Sequence, residues 1–155
     1  MVINETLRER EKLLRPFIER YAQSFDVDPN LVRAIITVES RFVSNATSPT
    51  GAYGYGQFTN IAVKQVHNIS AMNSAAKDLS TFTKTQAADP ERGVKALCAT
   101  LWWLFYVKYK GVENKRIRLE ACVTFYNAGG AAANLVVKHG GHQNAIPFIA
   151  QLPKN

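Results

Sequence analysis

The chain has 155 residues, of which 46% are hydrophobic and 20% are charged. This size and apolar content suffice for one ordinary hydrophobic core without disulfide or metal staples. The formal net charge of +7 and the pI of about 9.6 favour polyanionic partners, which include nucleic acid, anionic lipid and carboxylate-bearing wall polymers. The basic residues between Lys108 and Arg118 lack the aromatic interleaving of a nucleic-acid stacking platform. We interpret that segment as a solvated helix end and loop, and we expect no nucleic-acid partner.

The N-terminal part of the chain contains two predicted helices. From Leu7 to Ala22, apolar residues recur at steps of three and four, which predicts an amphipathic helix with Leu13 on its buried face. Asp28 followed by Pro29 predicts the start of a second helix, because Asp caps free N–H groups and Pro suits the first helical position. Glu39 then lies at the margin of its core-facing side. The predicted buried stripe of this helix consists of Leu31, Ile35, Val38 and Phe42.

The rest of the chain predicts further helices after one long loop. Residues 44–57 are rich in Gly, Ser, Thr, Asn and Pro, which predicts a shaped, glycine-rich loop. Short helices are predicted around Ile61–Val66 and Ala71–Phe82, and a long buried helix from Pro90 to about Tyr109. A last helix is predicted from an apolar stripe that consists of Leu119, Cys122, Val123 and Tyr126. Gly129 supplies its stop signal.

No alternating strand pattern and no internal repeat occurs in the sequence. We therefore predict a mainly α fold in a single domain over residues 1–155, with an N-terminal helix in residues 1–24 and a C-terminal tail in residues 131–155. Cys98 and Cys122 stand among apolar residues and are predicted to be reduced core residues. The N-terminal segment carries charges where a signal peptide needs an apolar run, and no stretch approaches bilayer length. We expect no membrane insertion.

Three short motifs occur one after another along the chain. Residues 39–42 read ESRF, followed by Ala46, Ser48, Gly51 and Gln57; residues 89–90 read DP, followed by Gly93; residues 125–129 read FYNAG. Over about Phe25 to Gly130, this series resembles the soluble-type lytic transglycosylase domain, a relative of goose-type lysozyme. The resemblance implies a lysozyme-like fold and cleavage of bacterial peptidoglycan strands between N-acetylmuramic acid and N-acetylglucosamine, with no metal and no cofactor.

Glu39 is the candidate catalytic acid/base. Breaking a glycosidic bond requires a carboxyl group that stays protonated near neutral pH, and partial burial favours that form. Ordinary glycosidases add a second carboxylate, but no Asp or Glu occurs between Glu39 and Asp78. By the resemblance, the substrate's own C6 hydroxyl attacks instead and closes a 1,6-anhydro ring. We therefore predict a lytic transglycosylase, with a hydrolytic muramidase as the alternative. The competing interpretation of Glu39 is a solvated carboxylate paired with Arg33 or Arg41.

The resemblance also implies roles for residues around the acid. Ser48 would hydrogen-bond near the acid or the substrate's acetamido group, and Tyr126 would hold the Glu39 carboxyl. The implied sugar-binding residues are Gln57, Tyr55 and Asn127. Turn formation is the plainer alternative for Ser48, packing for Tyr126, and helix termination for Asn127.

The sequence departs from the family in two places. Residues 54–57 read GYGQ where many members have GLMQ, and Phe125 replaces the usual Ala before Tyr126. We expect these changes to alter the substrate groove more than the acid. Two weaker patterns predict no site of their own: residues 139–142 predict a glycine turn, and the glycines at positions 51, 54 and 56 are predicted to shape a sugar groove. His139 and His142 lack a third ligand at metal-site spacing, and no Lys-Ser/Thr follows the glycines at positions 51, 54 and 56 as in a phosphate-binding loop.

A wall enzyme without a signal peptide must be delivered by a virion, a holin-type pore or a larger parent chain. We therefore expect action in the bacterial periplasm or wall, a bacteriophage origin, and a monomer that acts alone or as part of a virion. Two other functions remain as alternatives: a phage peptidoglycan endopeptidase, and a non-catalytic module that binds wall polymer or nucleic acid. No metal cluster or Cys–His nucleophile motif favours the peptidase.

Overall fold

The computed structural model describes residues 5–153, and these are mainly helical, as predicted. Strand content there is limited to two isolated bridges, and no described helix is both long and apolar enough to span a bilayer. The elements are α1 (Glu5–Ser24), α2 (Pro29–Ser40), α3 (Asn60–Ser70), the 3-10 helices η1 (Ser74–Thr81) and η2 (Thr85–Ala88), α4 (Pro90–Trp103), a π-helix (Leu104–Lys108), α5 (Lys115–Ala128), α6 (Gly130–Lys138) and α7 (His142–Ile149).

The chain divides into two compact units, one ending at Trp102 and the other beginning at Trp103. In the first unit, α1 packs against α2, and α3 packs against η1. In the second unit, α5 packs against α6, α7 and the π-helix, and α6 also packs against α7. The single-domain boundaries predicted for residues 1–155 stay a prediction.

The predicted buried faces of α1 and α2 are each wrong at one residue. Leu13 is 69% exposed, because it lies about 100° around the helix from the buried Leu14. Val38 is 72% exposed, because it lies about 200° from the buried Ile36. The buried side chains that define the two faces are Leu7, Leu14, Ile18 and Tyr21 in α1, and Val32, Ile35, Ile36 and Ser40 in α2.

The two ends of α2 are fixed by different devices. At its start, the Asp28 carboxylate accepts the N–H two residues ahead at 2.8 Å, and Pro29 is the first helical residue, as predicted. At its end, Arg41 and Phe42 adopt left-handed φ values of 51° and 59°. The N–H of Arg41 donates to Thr37 O at 3.2 Å. A left-handed conformation costs a non-glycine residue about 1 kcal/mol. The Phe42 side chain in this turn is buried.

The loop between α2 and α3 folds back on itself around Tyr53. Tyr53 forms one bridge with Thr47 and another with Phe58. The second bridge has a hydrogen bond in each direction, at 3.0 and 2.8 Å between the backbones of Tyr53 and Phe58. The shaped loop predicted for residues 44–57 is therefore ordered by its own backbone hydrogen bonds.

A single carbonyl, Ala87 O, fixes this loop against the start of α4. The N–H of Tyr55 donates to it at 3.1 Å. A Cβ on Gly54 would lie 2.3 Å from this oxygen, and a Cβ on Gly93 would lie 2.6 Å from it. Since real Cβ atoms never approach an oxygen so closely, both positions require glycine for steric reasons. Gly54 also has a φ of +83°, which glycine adopts without strain.

The predicted central helix is α-helical only to Trp103. Its middle, from Gly93 to Leu101, is buried almost throughout, as predicted. The chain then forms a π-helix, in which Tyr109 N–H donates to Leu104 O at 2.9 Å across five residues. The prediction of one regular helix to Tyr109 is therefore wrong in its last turn. The hydrophobic pattern continues through that turn. Because the pattern does not depend on the spacing of the backbone hydrogen bonds, it could not predict the change from α-helix to π-helix.

The predicted apolar stripe of α5 is also partly wrong. Leu119 is 41% exposed and Val123 is 37% exposed. Both line a groove of about 480 Å³ on the second unit, together with Ile149 of α7. Small side chains form the buried face instead, which lets neighbouring helices approach closely. These residues are Ala121, Cys122 and Thr124 in α5, and Ala132, Ala133 and Val136 in α6.

Both cysteines are buried and unbonded, as predicted. Burial raises the pKa of the Cys98 thiol, and it raises the pKa of Cys122 to about 12. Both side chains therefore remain neutral thiols near neutral pH and act as small hydrophobic residues.

We predict that Gly54→Ala lowers the free energy of unfolding by about 3 kcal/mol, because its Cβ would overlap Ala87 O and its backbone would be strained. Urea unfolding of the purified protein measures this loss. Gly111→Ala is the matched control, since a Cβ there meets no atom within 4 Å, and we expect a change within about 0.5 kcal/mol. Similar losses in both variants would contradict the steric explanation.

Candidate active site

Glu39 occupies the last turn of α2, and its side chain is partly exposed. Burial raises the pKa of its carboxyl above the ordinary value for glutamate. Arg33, one predicted ion-pair partner, instead contacts Glu11 at 3.2 Å and Glu19 at 3.5 Å. Arg41 forms no ion pair with Glu39 within residues 5–153. The interpretation of Glu39 as an ordinary paired carboxylate is therefore not supported, and the protonated form that a general acid requires is favoured.

Ser48 fastens a tight turn in the loop after α2. Its Oγ accepts the N–H of Ala52 at 3.0 Å and lies 3.1 Å from Thr50 Oγ1. Its backbone N–H donates to Ala52 O at 2.9 Å. The turn predicted as the plainer alternative is therefore present. The implied hydrogen bond to the acid or to an acetamido group stays a prediction.

Gln57 braces the inside of the same loop. Its Nε2 donates to Ala46 O at 2.8 Å and to Gly54 O at 2.9 Å, so both amide hydrogens have carbonyl partners. Its own backbone is left-handed, with a φ of 54°. The brace ties together two points of the loop that lie far apart in sequence. A sugar contact by Gln57 stays a prediction. The side-chain amide oxygen would make this contact, because both amide hydrogens are already bonded.

Tyr55 is only 5% exposed. Its hydroxyl hydrogen-bonds with the Ser44 side chain, and its backbone N–H donates to Ala87 O. Burial raises the pKa of the phenol. Tyr55 therefore anchors the loop, and its implied sugar contact stays a prediction.

Tyr126 and Asn127 lie in the last turn of α5, in the second unit. Gly129 ends that helix with a φ of 89°, and its N–H donates to Phe125 O at 2.9 Å. Asn127 is exposed and lines the groove that also contains Val123. Asn127 is thus open to a ligand, whereas Tyr126 is partly buried.

The candidate residues fall into two groups along the chain. Glu39 and its loop belong to the first unit, whereas Tyr126 and Asn127 belong to the second. Sequence reasoning did not identify the backbone devices that hold these groups, namely the left-handed turn after Glu39 and the π-helix before α5. It also treated Lys108 as one of several solvated bases, because regular helical spacing does not place Trp103 beside it and Phe125 comes from a later part of the chain.

Two of the three histidines, His139 and His67, make structural contacts. The His139 ring stacks on Phe148, with centroids 3.9 Å apart and an interplanar angle of 4°. His67 Nε2 lies 2.6 Å from Phe82 O. Within the part of the chain that the structure describes, no group of three or more His, Cys, Asp or Glu side chains is placed to hold a metal ion.

We predict that Glu39→Gln raises the melting temperature at pH 7 to 8. A raised pKa in the folded state means that Glu39 stabilises the fold fully only below its unfolded pKa, about 4.3. That contribution is lost as the pH rises through the folded value. The gain from Gln should therefore disappear below about pH 4. Glu113→Gln removes the same charge from an exposed residue and serves as control. The same dependence of melting temperature on pH in both variants would contradict the prediction.

Comparison with known proteins identifies the family. The model of the transglycosylase SLT domain matches residues 16–149, a range that runs through both compact units and extends beyond the motifs. The membrane-bound lytic murein transglycosylases C of Yersinia pestis (strain Pestoides F) and Yersinia pseudotuberculosis (serotype O:1b, strain IP 31758) are each 29% identical over 150 residues. The alignments cover 96% of this chain and 40% of those proteins, so the chain spans about two fifths of their length. The family match establishes that this chain belongs to the transglycosylase SLT domain family.

Proposed function

We propose that this chain is a peptidoglycan lytic transglycosylase that cleaves the bond between N-acetylmuramic acid and N-acetylglucosamine, with Glu39 as its single acid/base. The observation that carries the proposal is the partly buried Glu39 carboxyl. Its pKa is raised, and it stands at the end of a helix within a domain of this family. The names of the Yersinia relatives support the same substrate.

The proposed reaction uses the Glu39 carboxyl twice, first as a general acid and then, as the carboxylate, as a general base. The Glu39 carboxylic acid donates its proton to the glycosidic oxygen as the bond to the anomeric carbon breaks, through a transition state with oxocarbenium character. The resulting carboxylate then takes the proton of the muramic acid C6 hydroxyl. That oxygen bonds to the anomeric carbon and closes a 1,6-anhydro ring. No water is consumed, and Glu39 returns to its starting state.

The acids that follow Glu39 in the first unit already have partners. The Asp78 carboxylate contacts Arg92 at 2.8 Å and Lys95 at 2.6 Å, and those contacts lower its pKa despite the opposing effect of burial. Asp89 accepts two N–H groups at the start of α4, at 3.1 and 2.8 Å. Glu91 accepts the Tyr21 hydroxyl at 2.6 Å. Since each has a structural role, these residues do not supply the free second carboxylate of an ordinary glycosidase. This supports intramolecular attack over hydrolysis.

The supporting residues complete the proposal. Ser48 and Tyr126 would orient the acid, and Gln57, Tyr55 and Asn127 would contact sugar. In the first unit, the Ser48 turn and the Gln57 brace hold the loop after the acid in one conformation, and such preorganisation favours positioned catalysis. The place of action would be the periplasm or wall. Delivery by a virion or pore, and the bacteriophage origin, stay predictions.

We predict that Glu39→Gln lowers wall-lysis activity at least 100-fold, because the amide cannot donate an acid proton. Turbidity loss of purified peptidoglycan measures the activity, and circular dichroism checks the fold. Glu113→Gln should keep full activity, since this exposed glutamate lies far along the chain from α2. Substantial residual activity in a folded Glu39→Gln protein would remove Glu39 from the catalytic role.

We predict that digestion yields 1,6-anhydro ends and incorporates no oxygen from the solvent. Mass spectrometry of fragments made in heavy-oxygen water separates the possible outcomes. Labelled reducing ends would make the protein a muramidase. New amino groups without new glycan ends would make it an endopeptidase. Bound but uncut strands would make it a binding module.

A further inference from the structure

The π-helix places one lysine beside a tryptophan. In an α-helix, residues five apart point about 140° away from each other. The hydrogen bond from Tyr109 N–H to Leu104 O adds a residue to the turn, and this brings Trp103 and Lys108 towards the same side. The Lys108 Nζ lies 5.5 Å from the centroid of the Trp103 ring. Since π-helices are rare and often mark functional sites, this lysine is a candidate for a specific role.

Three aromatic rings hold the Lys108 ammonium. Besides the Trp103 ring, Nζ lies 5.6 Å from the Tyr109 centroid and 5.4 Å from the Phe125 centroid. The rings also contact one another edge to face, with Phe125 6.0 Å from Trp103 and 6.5 Å from Tyr109. We call Lys108 and these three rings the lysine platform. All four residues belong to the second unit.

The charge of the platform is available to a ligand. Lys108 is exposed, and no carboxylate in residues 5–153 forms an ion pair with it. A free lysine loses much rotamer entropy when it binds an anion. The rings have already restricted this side chain, so less entropy remains to be lost on binding. Lys108 is therefore a preorganised cation that has aromatic contacts but no ion-pair partner among residues 5–153.

The platform adjoins the FYNAG segment through Phe125. The Phe125 ring packs against Gly130, where a Cβ would lie 3.4 Å from it. Phe125 also directly precedes Tyr126 and Asn127 at the end of α5. The platform thus lies in the part of the second unit that presents the proposed sugar-contacting Asn127.

We propose that the lysine platform binds a carboxylate of the peptidoglycan strand and so favours acidic strands over neutral glycan. This inference rests on the proposed function. The carboxylate has two possible sources: the lactyl group of N-acetylmuramic acid after peptide removal, or the stem peptide. Tyr109 is buried, so the exposed parts of the Trp103 and Phe125 rings are the ones that support the apolar face of the attached sugar or peptide.

The test measures strand binding without turnover, in a Glu39→Gln background. The three probes are peptide-bearing glycan fragments, fragments stripped of peptide to leave the lactyl carboxylate, and neutral chito-oligosaccharide of equal length. Calorimetry should show tighter binding of at least one acidic probe than of the neutral one. Lys108→Met should weaken binding of that acidic probe about tenfold, as expected for a lost charge-assisted hydrogen bond, and leave the neutral probe unchanged. The acidic probe whose binding is weakened by Lys108→Met identifies the source of the carboxylate.

Two variants control the interpretation. Lys108→Arg keeps a cation that stacks on aromatic rings and should retain the preference. Lys110→Met removes an exposed lysine that makes no cation–π contact with the rings of the platform, and this variant should also retain the preference. Unchanged acidic binding in Lys108→Met, or equal weakening of all three probes, would overturn the proposal. Because the readout is binding, these outcomes are independent of whether wild-type protein forms 1,6-anhydro ends.

Discussion

The first unit depends on one backbone oxygen, the carbonyl of Ala87. It accepts the N–H of Tyr55, and two glycines approach it too closely for any side chain. Through this carbonyl, the end of η2 holds both the loop that follows Glu39 and the first turns of α4. Neither segment can shift without losing a hydrogen bond or creating an overlap. The loop after the proposed acid is therefore fastened to the start of α4 at a defined point.

The second constraint is electrostatic. Several carboxylates of the first unit have ion-pair partners, as the pairs of Glu11 and Asp78 show, whereas Glu39 has a raised pKa and no ion-pair partner among residues 5–153. A solitary, partly buried carboxyl destabilises the folded state at neutral pH. Proteins retain such groups where function requires them. The contrast between Glu39 and its paired neighbours is stronger evidence for catalysis than the pKa direction alone.

The sequence predicted local features well and long-range ones poorly. The start of α2 follows from two adjacent residues, Asp28 and Pro29, and the position of Glu39 follows from helical spacing. Val38 was assigned to the wrong face of α2. Which face of a helix is buried depends on the elements that pack against it, and the residues next to it in sequence do not specify those elements. The brace by Gln57 joins it to Ala46, eleven positions earlier, which no local pattern records. The π-helix escaped prediction because the apolar pattern continues through it. The family motifs identified the candidate site residues, which hydrophobic periodicity could not, since periodicity reports only which face of a helix a residue occupies.

The left-handed turn at Arg41 and Phe42 restricts which sequences this site can explore. A β-branched residue at either position would clash with its own backbone, so valine, isoleucine and threonine are excluded there. Glycine would relieve the strain, but it would also widen the set of conformations open to the chain directly after the acid. These two positions therefore favour side chains that are not branched at Cβ, and Phe42 is restricted further by its burial. Tolerance to substitution in the ESRF segment is set by backbone geometry as much as by chemistry.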